Sequence, residues 1–214
     1  MLVGVNAISP ARSFVMTRDE LAPRDEAGTR DTEARRFVEE LFARYHAEIY
    51  GFLARMVRDE DLAADLTQDT FIKAYRAYAT LADREKARAW VYSIANRAAL
   101  DELRHRRVVR FVPWSGESRG ASPSAESTVL HGQMSGEMER ALARIPERQR
   151  SALILAEIHD FTGLELAAAL GTSHIAVRAL LTRARDNLRA ALLEEQARTA
   201  ARERAADGAR TKRA

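Results

Sequence analysis

The chain of 214 residues contains no cysteine, no long apolar run and only three lysines. Without cysteine it cannot form disulfides, thiolate zinc sites, iron–sulfur clusters or a cysteine nucleophile. No stretch approaches the ~20 apolar residues that a membrane span requires. The first residues also lack the charged leader and apolar core of a signal peptide. These absences predict a cytoplasmic protein without membrane insertion and without thiol-based redox sensing.

Positive charge comes almost entirely from arginine, yet the net charge is only +3 because 34 basic residues oppose 31 acidic ones. The planar guanidinium of arginine suits phosphates and base edges, although a GC-rich genome would produce the same bias. The charges are separated along the chain. Residues 59–72 hold five acids and no base, residues 84–110 hold eight bases against three acids, and residues 178–189 hold four bases against one acid. The small total therefore conceals one acidic segment and two basic ones.

Every segment with a clear hydrophobic period is helical, and no alternating strand pattern is present. The predicted helices cover residues 33–56, 61–78, 86–107, 137–144, 147–158, 164–170 and 175–193. Between the third and fourth of them lies a segment rich in Ser, Gly and Pro, which is too long for a loop inside one compact domain. The predicted fold is therefore all-α, with two small helical domains joined by a flexible linker.

These patterns divide the chain into five parts. We predict a mobile leader at 1–32, a first helical domain at 33–112, a linker at 113–136, a second helical domain at 137–193 and an Arg- and Ala-rich tail at 194–214. The leader has no sustained hydrophobic period. Within it, Met16 is an alternative start of the protein.

The segment from Thr162 to Arg185 has the pattern of a helix-turn-helix. Thr162 and Glu165 form a capping box at the start of a short helix. That helix ends at Gly171, the residue type best suited to the left-handed conformation of a sharp turn. A second helix follows, and its apolar residues Ile175, Val177 and Leu181 are predicted to point inward. The second domain is therefore predicted to end in a helix-turn-helix.

The opposite face of this second helix supplies candidate DNA contacts, because the second helix of the motif enters the major groove. Arg178 has the reach to bind a guanine, whereas Arg183 and Arg185 are placed to bind phosphates. The alternative is an ordinary helical hairpin whose arginines form a solvated face. The candidate residues are Ser173, His174, Arg178, Thr182, Arg183 and Arg185.

An acidic face is predicted on the second helix, where Asp61, Asp65 and Asp69 recur every four residues beside Gln68. Three acids at this spacing bind a divalent ion only if other elements supply further ligands. The chain has no HExxH motif, no Walker-type glycine loop and no Gly-x-Ser-x-Gly elbow, and its five histidines lack ligand spacing. We therefore expect no metal site, no cofactor and no catalytic site. The acidic face is either solvated or docks a basic partner.

In the basic segment that follows, Trp90 and Tyr92 are interleaved with arginines. This combination suits unstacked bases, which stack on aromatic rings at ~1–3 kcal/mol each while the cations hold the backbone. Packing of Trp90 in a core explains the same pattern equally well. Both interpretations remain open from these residues alone.

Three motifs in this order resemble the bacterial RNA polymerase sigma factors, specifically the extracytoplasmic-function (ECF) group. The segment DLAADLTQDTF at 61–71 fits the family pattern D-x-A-x-D-L-x-Q-x-x-F at every specified position. The segment WVYSIANRAALDELRHRR at 90–107 looks like the part of the family that captures the −10 promoter element. The segment LARIPERQRSALIL at 142–155 is similar to L-x-x-L-P-x-x-Q-R-x-x-x-x-L. The resemblance covers about residues 37–110 and 137–193.

The resemblance implies a sigma factor that binds core RNA polymerase and directs promoter recognition, DNA melting and transcription initiation. Its acidic face would dock the clamp helices of the largest polymerase subunit, and its helix-turn-helix would read the −35 element. The implied core-binding residues are Asp61, Asp65, Gln68, Asp69 and Phe71. The implied −10 residues are Arg88, Trp90, Tyr92, Asn96, Arg97, Arg104, Arg106 and Arg107. The resemblance also implies an anti-sigma partner, and we expect the free chain to be a monomer.

The chain departs from the family pattern at several positions that bear on promoter sequence. Asn96 and Arg97 stand in reverse order to the common Ala-Arg-Asn, and the helix from Val177 to Leu181 lacks a usual Ser and Arg. The loop at 80–88 lacks the common Gly-x-x-x-Phe. The main alternative function is a stand-alone helix-turn-helix regulator that binds operator DNA. Such regulators usually dimerise, but the chain has no heptad seam, and this function would leave the acidic helix unexplained.

Overall fold

The computed structural model describes residues 22–111 and 135–211, and all regular structure in these two ranges is helical. The helices are α1 (Ala22–Val57), α2 (Glu60–Arg76), α3 (Ala87–Phe111), α4 (Gly136–Arg144), α5 (Glu147–Glu157), α6 (Gly163–Leu170) and α7 (His174–Thr211). Two short 3₁₀ turns, at Tyr78–Thr80 and Arg84–Lys86, connect α2 to α3. The prediction of an all-α protein with two helical domains is confirmed. Most of the predicted linker lies outside the described residues.

The first domain is a three-helix unit in which α1, α2 and α3 bury their apolar stripes against one another. Ile49, Phe52 and Leu53 of α1 are fully buried in its core. Arg58 reverses the chain between α1 and α2 with a φ of 57°, and Asp59 caps α2 by accepting a hydrogen bond of 3.1 Å from the Leu62 amide. The local signals at this turn therefore set where α2 begins.

Helix α1 begins at Ala22, so residues 22–32, which the sequence assigned to a mobile leader, are helical. Two contacts that span long sequence distances lie near residue 32. Arg84 forms an ion pair of 2.8 Å with Glu33, and the hydroxyl of Tyr75 donates a hydrogen bond to Asp31. Both contacts lie at the end of this segment that adjoins the predicted first helix. Residues 1–21 of the predicted leader lie outside the described part.

The second domain packs α4 and α5 against α7, with Leu142, Ile145 and Leu153 in its own apolar cluster. Helix α7 continues through Thr211, well into the segment predicted as a tail. At the start of that segment the buried Glu195 binds Arg140 at 3.1 Å and also contacts Arg144 and Arg198. These charged hydrogen bonds tie α7 to α4. Helix α7 is therefore held against α4 at the start of this segment.

The two domains pack against each other rather than standing apart. Helices α5 and α6 lie against α1 and α3. Leu155, Phe161 and Leu166 of the second domain share one apolar cluster with Phe52 and Tyr92 of the first. The hydrophobic period of a helix shows which residues are apolar but not which partner covers them. The closed arrangement therefore could not be predicted from the sequence.

Candidate polymerase-binding and DNA-binding surfaces

The acidic face predicted on α2 is present and open to solvent. Asp61, Asp65, Gln68 and Asp69 are all exposed on this helix. Asp69 makes a loose ion pair of 3.7 Å with Lys73 on the same face, and both side chains are about half exposed. Such exposed pairs contribute little to stability. The face is therefore free to meet another surface.

Asp59, the first acid of the same sequence segment, does not belong to this face. Its carboxylate caps α2 and forms an ion pair of 2.9 Å with Arg106 of α3. The hydrogen bond from the Leu62 amide, with help from Arg106, lowers the pKa of Asp59 below its usual value. Asp59 therefore holds α2 and α3 together, and the exposed negative charge is smaller than the sequence count suggests.

Two exposed apolar side chains lie beside the acidic face, and neither was predicted there from the sequence. Phe42 of α1 is 45% exposed and Ile72 of α2 is 39% exposed. Phe71, which the resemblance implied as a contact, is buried, and its ring lies 5.0 Å from that of Phe42. Phe71 therefore supports Phe42 from below. The hydrophobic period of a helix shows which residues form its apolar stripe. It does not show which of them lie at the exposed edge of that stripe.

The implied −10 residues fall into two groups in the structure. Arg97, Arg104 and Arg107 are exposed, whereas Arg106 is half-buried and binds both Asp59 and Glu102. Trp90 is also half-buried, so its ring is neither fully in the core nor fully open. The exposed Arg97, Arg104 and Arg107 form a basic side of α3, whereas Arg106 faces Asp59.

Tyr92 and Asn96, in contrast, are buried at the boundary between the domains. The Tyr92 hydroxyl donates to Glu48 at 3.1 Å and lies 3.0 Å from Nδ1 of His159 in the second domain. Burial, with the nearby Glu48 carboxylate, raises the pKa of the Tyr92 phenol. The Ser151 hydroxyl donates to Oδ1 of Asn96 at 2.6 Å. Neither residue is open to a base in this arrangement.

Arg88 is also engaged with the second domain. Its guanidinium donates to the His159 carbonyl at 2.6 Å and lies 4.3 Å from the centre of the Phe161 ring. A cation over an aromatic face is stabilising, more so where water is excluded. Arg88, Tyr92 and Asn96 thus contact the second domain, and Arg107 also reaches it through an ion pair with Glu147 of α5.

The helix-turn-helix of the second domain has the local geometry that its sequence predicts. The side chain of Glu165 accepts from the Thr162 amide at 2.8 Å, and the Glu165 amide donates to the Thr162 hydroxyl at 3.3 Å. The hydrogen bond from the Thr162 amide lowers the pKa of Glu165. Gly171 ends α6 with a φ of 60°. The predicted capping box and left-handed turn are confirmed.

The first turn of α7 lies close against the start of α6. Ser173 accepts a hydrogen bond of 3.2 Å from the Ala176 amide, as a capping residue does. A Cβ atom at Gly163 would come within 2.6 Å of Nε2 of His174, so the absence of a side chain at Gly163 makes room for the imidazole. His174 is therefore exposed but held against α6.

The predicted recognition face of α7 is exposed. Arg178 and Arg183 make no ion pair with another described residue, whereas Arg185 pairs with Glu157 of α5 at 2.7 Å. The Thr182 hydroxyl donates to the Arg178 carbonyl at 3.1 Å, so it is partly used within the helix. The free guanidinium groups are thus those of Arg178 and Arg183.

Ile175 was predicted to point inward, and this prediction is wrong because the side chain is 81% exposed. Val177 and Ala184 are buried, and Leu181 is half-buried between them. Residues two apart in an α-helix lie on nearly opposite sides, since each residue turns the helix by about 100°. In α7 only the side that carries Val177 is covered, so Ile175 faces solvent.

The described residues contain no group of three or more His, Asp or Glu side chains arranged to hold a metal ion. Over the same ranges, no single helix is long and apolar enough to cross a membrane. The candidate sites are three surfaces: the acidic face of α2, the basic side of α3 and the exposed face of α7.

Comparisons with known proteins agree with this division into two helical units. Residues 41–108 match the model of Sigma-70 region 2, and residues 135–188 match the model of Sigma-70, region 4. The chain is 33% identical over 156 residues to RNA polymerase sigma factor CarQ of Myxococcus xanthus. That alignment covers 73% of this chain and 89% of CarQ.

Two solved structures have a similar fold. The structure of CnrH in complex with the cytosolic domain of CnrY is 25% identical with a TM-score of 0.55, covering 79% of this chain and 96% of that one. The structure of the sigma factor RpoE in complex with the anti-sigma factor NepR, from Bartonella quintana, is 23% identical with a TM-score of 0.57. It covers 72% of this chain and 95% of that one.

A region 2 unit that carries an acidic helix, followed by a region 4 unit that carries a helix-turn-helix, defines a promoter-recognising transcription initiation factor. The chain belongs to the ECF sigma factors of RNA polymerase. The family predicted from the sequence motifs is thereby confirmed, and the stand-alone regulator is the less supported alternative.

Proposed function

We propose that the chain binds core RNA polymerase through the exposed face of α2 together with Phe42 and Ile72. The observation that carries this proposal is the placement of Asp61 and Asp65 beside two exposed apolar side chains on one side of the first domain. Apolar patches rimmed by charge are typical of protein–protein interfaces, and the acids steer a basic partner during encounter. The partner surface would be the clamp helices of the largest subunit.

Promoter DNA would contact both domains. On the first, the exposed arginines of α3 would hold phosphates of the −10 region, with Trp90, Tyr92 and Asn96 available to bases once the domains separate. On the second, Arg178 would reach a base edge of the −35 element from the exposed start of α7, and Arg183 would bind a phosphate. Arg185 would also contact DNA once its ion pair with Glu157 breaks, and this exposed ion pair is weak.

The remaining features of this function follow from the polymerase partner. The chain would act in the cytoplasm, where RNA polymerase and promoter DNA meet, and as a monomer without catalytic chemistry or a cofactor of its own. CnrH and RpoE are each bound to a partner protein in their structures, an anti-sigma factor in the case of RpoE. A corresponding anti-sigma protein would compete for the same surfaces here.

Charge reversal of Asp65 tests the docking face. We expect Asp65→Arg to weaken binding to purified core polymerase at least tenfold, because it removes an attractive charge and places a like charge against a basic surface. Binding is measured by titration with fluorescently labelled chain and, in parallel, by run-off transcription. Glu40→Arg is the matched control, since Glu40 is an exposed acid of α1 in the same domain.

Equal affinity of Asp65→Arg and Glu40→Arg for core polymerase would contradict the assignment of this face. Failure of the unmodified chain to bind core polymerase, combined with tight binding to a palindromic duplex, would instead favour the stand-alone regulator.

A further inference from the structure

Ile175, at the start of α7, is the most exposed large apolar side chain in the part of the chain that the structure describes, at 81%. It is the second residue of the helix, after His174. A single exposed apolar side chain is common on a protein surface, so its position decides whether it has a role. Here the position is the first turn of the second helix of the helix-turn-helix, where side chains reach base edges.

Ile175 lies on the side of α7 that carries the candidate DNA contacts. Ile175, Arg178 and Thr182 are spaced i, i+3 and i+7, so they follow one side of the helix, and all three are exposed. The guanidinium of Arg178, one turn beyond Ile175, forms no ion pair with another described residue. A duplex that receives Arg178 in its major groove therefore receives Ile175 beside it.

The first turn of α7 holds this side chain in a fixed place. Ser173 caps the helix by accepting a hydrogen bond of 3.2 Å from the Ala176 amide. His174 lies against Gly163 of α6, where a Cβ atom would come within 2.6 Å of the imidazole Nε2. Isoleucine is branched at Cβ and strongly prefers one χ1 rotamer in a helix. Ile175 therefore loses little conformational entropy when a partner covers it.

The chemistry of the isoleucine side chain selects one group on the edge of DNA. The side chain has no hydrogen-bond donor or acceptor, so it cannot distinguish the polar groups of the bases. In the major groove, the C5 methyl group of thymine is the apolar group by which a base pair is recognised. Contact between this methyl group and Ile175 removes apolar surface of both partners from water, which is favourable.

We propose that Ile175 contacts the C5 methyl group of a thymine in the −35 element and thereby specifies that base. Three residues along an α-helix span about 4.5 Å, and base pairs are about 3.4 Å apart. The thymine therefore lies within about two base pairs of the base that Arg178 contacts. This inference rests on the proposed function of α7 in reading the −35 element, and it adds a base type and its place relative to Arg178.

Replacement of thymine by deoxyuridine tests this contact, because it removes the C5 methyl group and leaves the hydrogen-bonding groups of the base unchanged. The −35 element is first selected from a random promoter library by run-off transcription with the unmodified chain and core polymerase. Each thymine is then replaced singly. At one of them we expect deoxyuridine to weaken promoter binding about fourfold, the effect of one buried methyl group. Ile175→Ala should bind the thymine and deoxyuridine promoters equally.

Leu193→Ala is the matched control. Leu193 is 62% exposed and lies about five turns, or about 27 Å, further along the same helix, outside the helix-turn-helix. Leu193→Ala should therefore retain the full preference for thymine. The urea unfolding midpoint of Ile175→Ala should match that of the unmodified chain, because the substituted side chain is exposed. Its affinity for core polymerase should also be unchanged, since Ile175 belongs to the second domain and the acidic face of α2 to the first.

The outcomes separate this inference from the proposed function. A preference for thymine that is absent from the unmodified chain, or that persists in Ile175→Ala, overturns the inference while the proposed function stands. A selected −35 element without thymine within about two base pairs of the base at which Arg178→Ala loses its preference also overturns it. If the unmodified chain directs no transcription with core polymerase, the proposed function fails. The deoxyuridine series is then measured on the duplex that the free chain selects, where loss of the preference in Ile175→Ala would still support the methyl contact.

Discussion

His159 shows how a single residue couples protonation to the contact between the domains. Its Nδ1 atom faces the Tyr92 hydroxyl and its Nε2 atom is buried without a partner. Burial, with the positive charges of Arg55 and Arg88 nearby, lowers the pKa of His159 to about 4, and Asp160 opposes this shift only in part. The closed arrangement therefore requires a neutral imidazole.

Acid is expected to open the domains. When the domains separate, the pKa of His159 returns toward 6.5, so closure is fully stable above pH 6.5 and weakens as the pH falls from 6.5 toward 4. This difference in the pKa of His159 between the closed and the separated domains changes the free energy of closure by roughly 3 kcal/mol in total. The measurement is the labelling rate of Asn96→Cys relative to Arg97→Cys, taken at each pH with a pyridyl disulfide reagent.

The control for this pH dependence is His159→Gln, which keeps a polar side chain beside Tyr92 but cannot be protonated. The ratio of labelling rates should then be nearly constant between pH 7 and pH 5. Glu48 also faces the imidazole, at 3.9 Å, and is left in place in this variant. A pH dependence that persists in His159→Gln would contradict the assignment of the effect to His159.

At the scale of the element, α6 and its turn illustrate strong local coding. The capping box at Thr162 begins the helix and the left-handed Gly171 ends it, and both were predicted from residue types alone. Capping side chains and glycine act within one turn of chain, so their effect does not depend on what packs against the helix. The helix-turn-helix can therefore be predicted from the sequence alone.

Substitution of Gly171 should lower the free energy of unfolding. Gly171→Ala forces a Cβ atom into a φ of 60°, which costs about 1 kcal/mol or somewhat more. Gly28→Ala is the matched control, because Gly28 lies within α1 with no atom near its missing Cβ, and alanine favours a helix interior. Urea unfolding should show opposite signs for the two variants. If both variants change the free energy of unfolding equally, the backbone of the turn shifts to accommodate alanine at position 171.

Element boundaries were less predictable than the elements themselves. Helix α1 starts eleven residues before Glu33, and the Tyr75 hydroxyl contacts it at Asp31. Helix α7 continues beyond residue 193, where Glu195 binds Arg140 of α4. The inward prediction for Ile175 was wrong for a different reason. Apolar residues at 175, 177 and 181 do not share one face, and Val177 has the buried position.

At the scale of the whole molecule, the shared apolar cluster makes the two domains interdependent. Leu155 of α5 is fully buried in the cluster that also contains Phe52 and Tyr92, whereas Ile145 belongs to the separate cluster of the second domain. Removal of apolar volume from the shared cluster should therefore weaken both domains at once.

Hydrogen exchange distinguishes these two clusters. Leu155→Ala should accelerate amide exchange in α3 as well as in the second domain, since loss of a buried leucine costs about 2–5 kcal/mol. Ile145→Ala, an equally buried substitution outside the shared cluster, should accelerate exchange in the second domain while leaving α3 nearly unchanged. If the two variants have the same effect on α3, the domains do not depend on one another through this cluster.

The sequence by itself determined the helical class, the helix-turn-helix, the acidic face of α2 and the family. Each of these depends on local signals: caps, a glycine turn, and residues spaced one helical turn apart. Only the tertiary structure decided that Phe42 and Ile72 are exposed, that Phe71 packs against Phe42, and that Tyr92 and Asn96 are covered by the second domain. The physical reason is that burial belongs to pairs of surfaces. A chain can specify an apolar face through its own period, but which distant surface covers that face is settled only when both are folded.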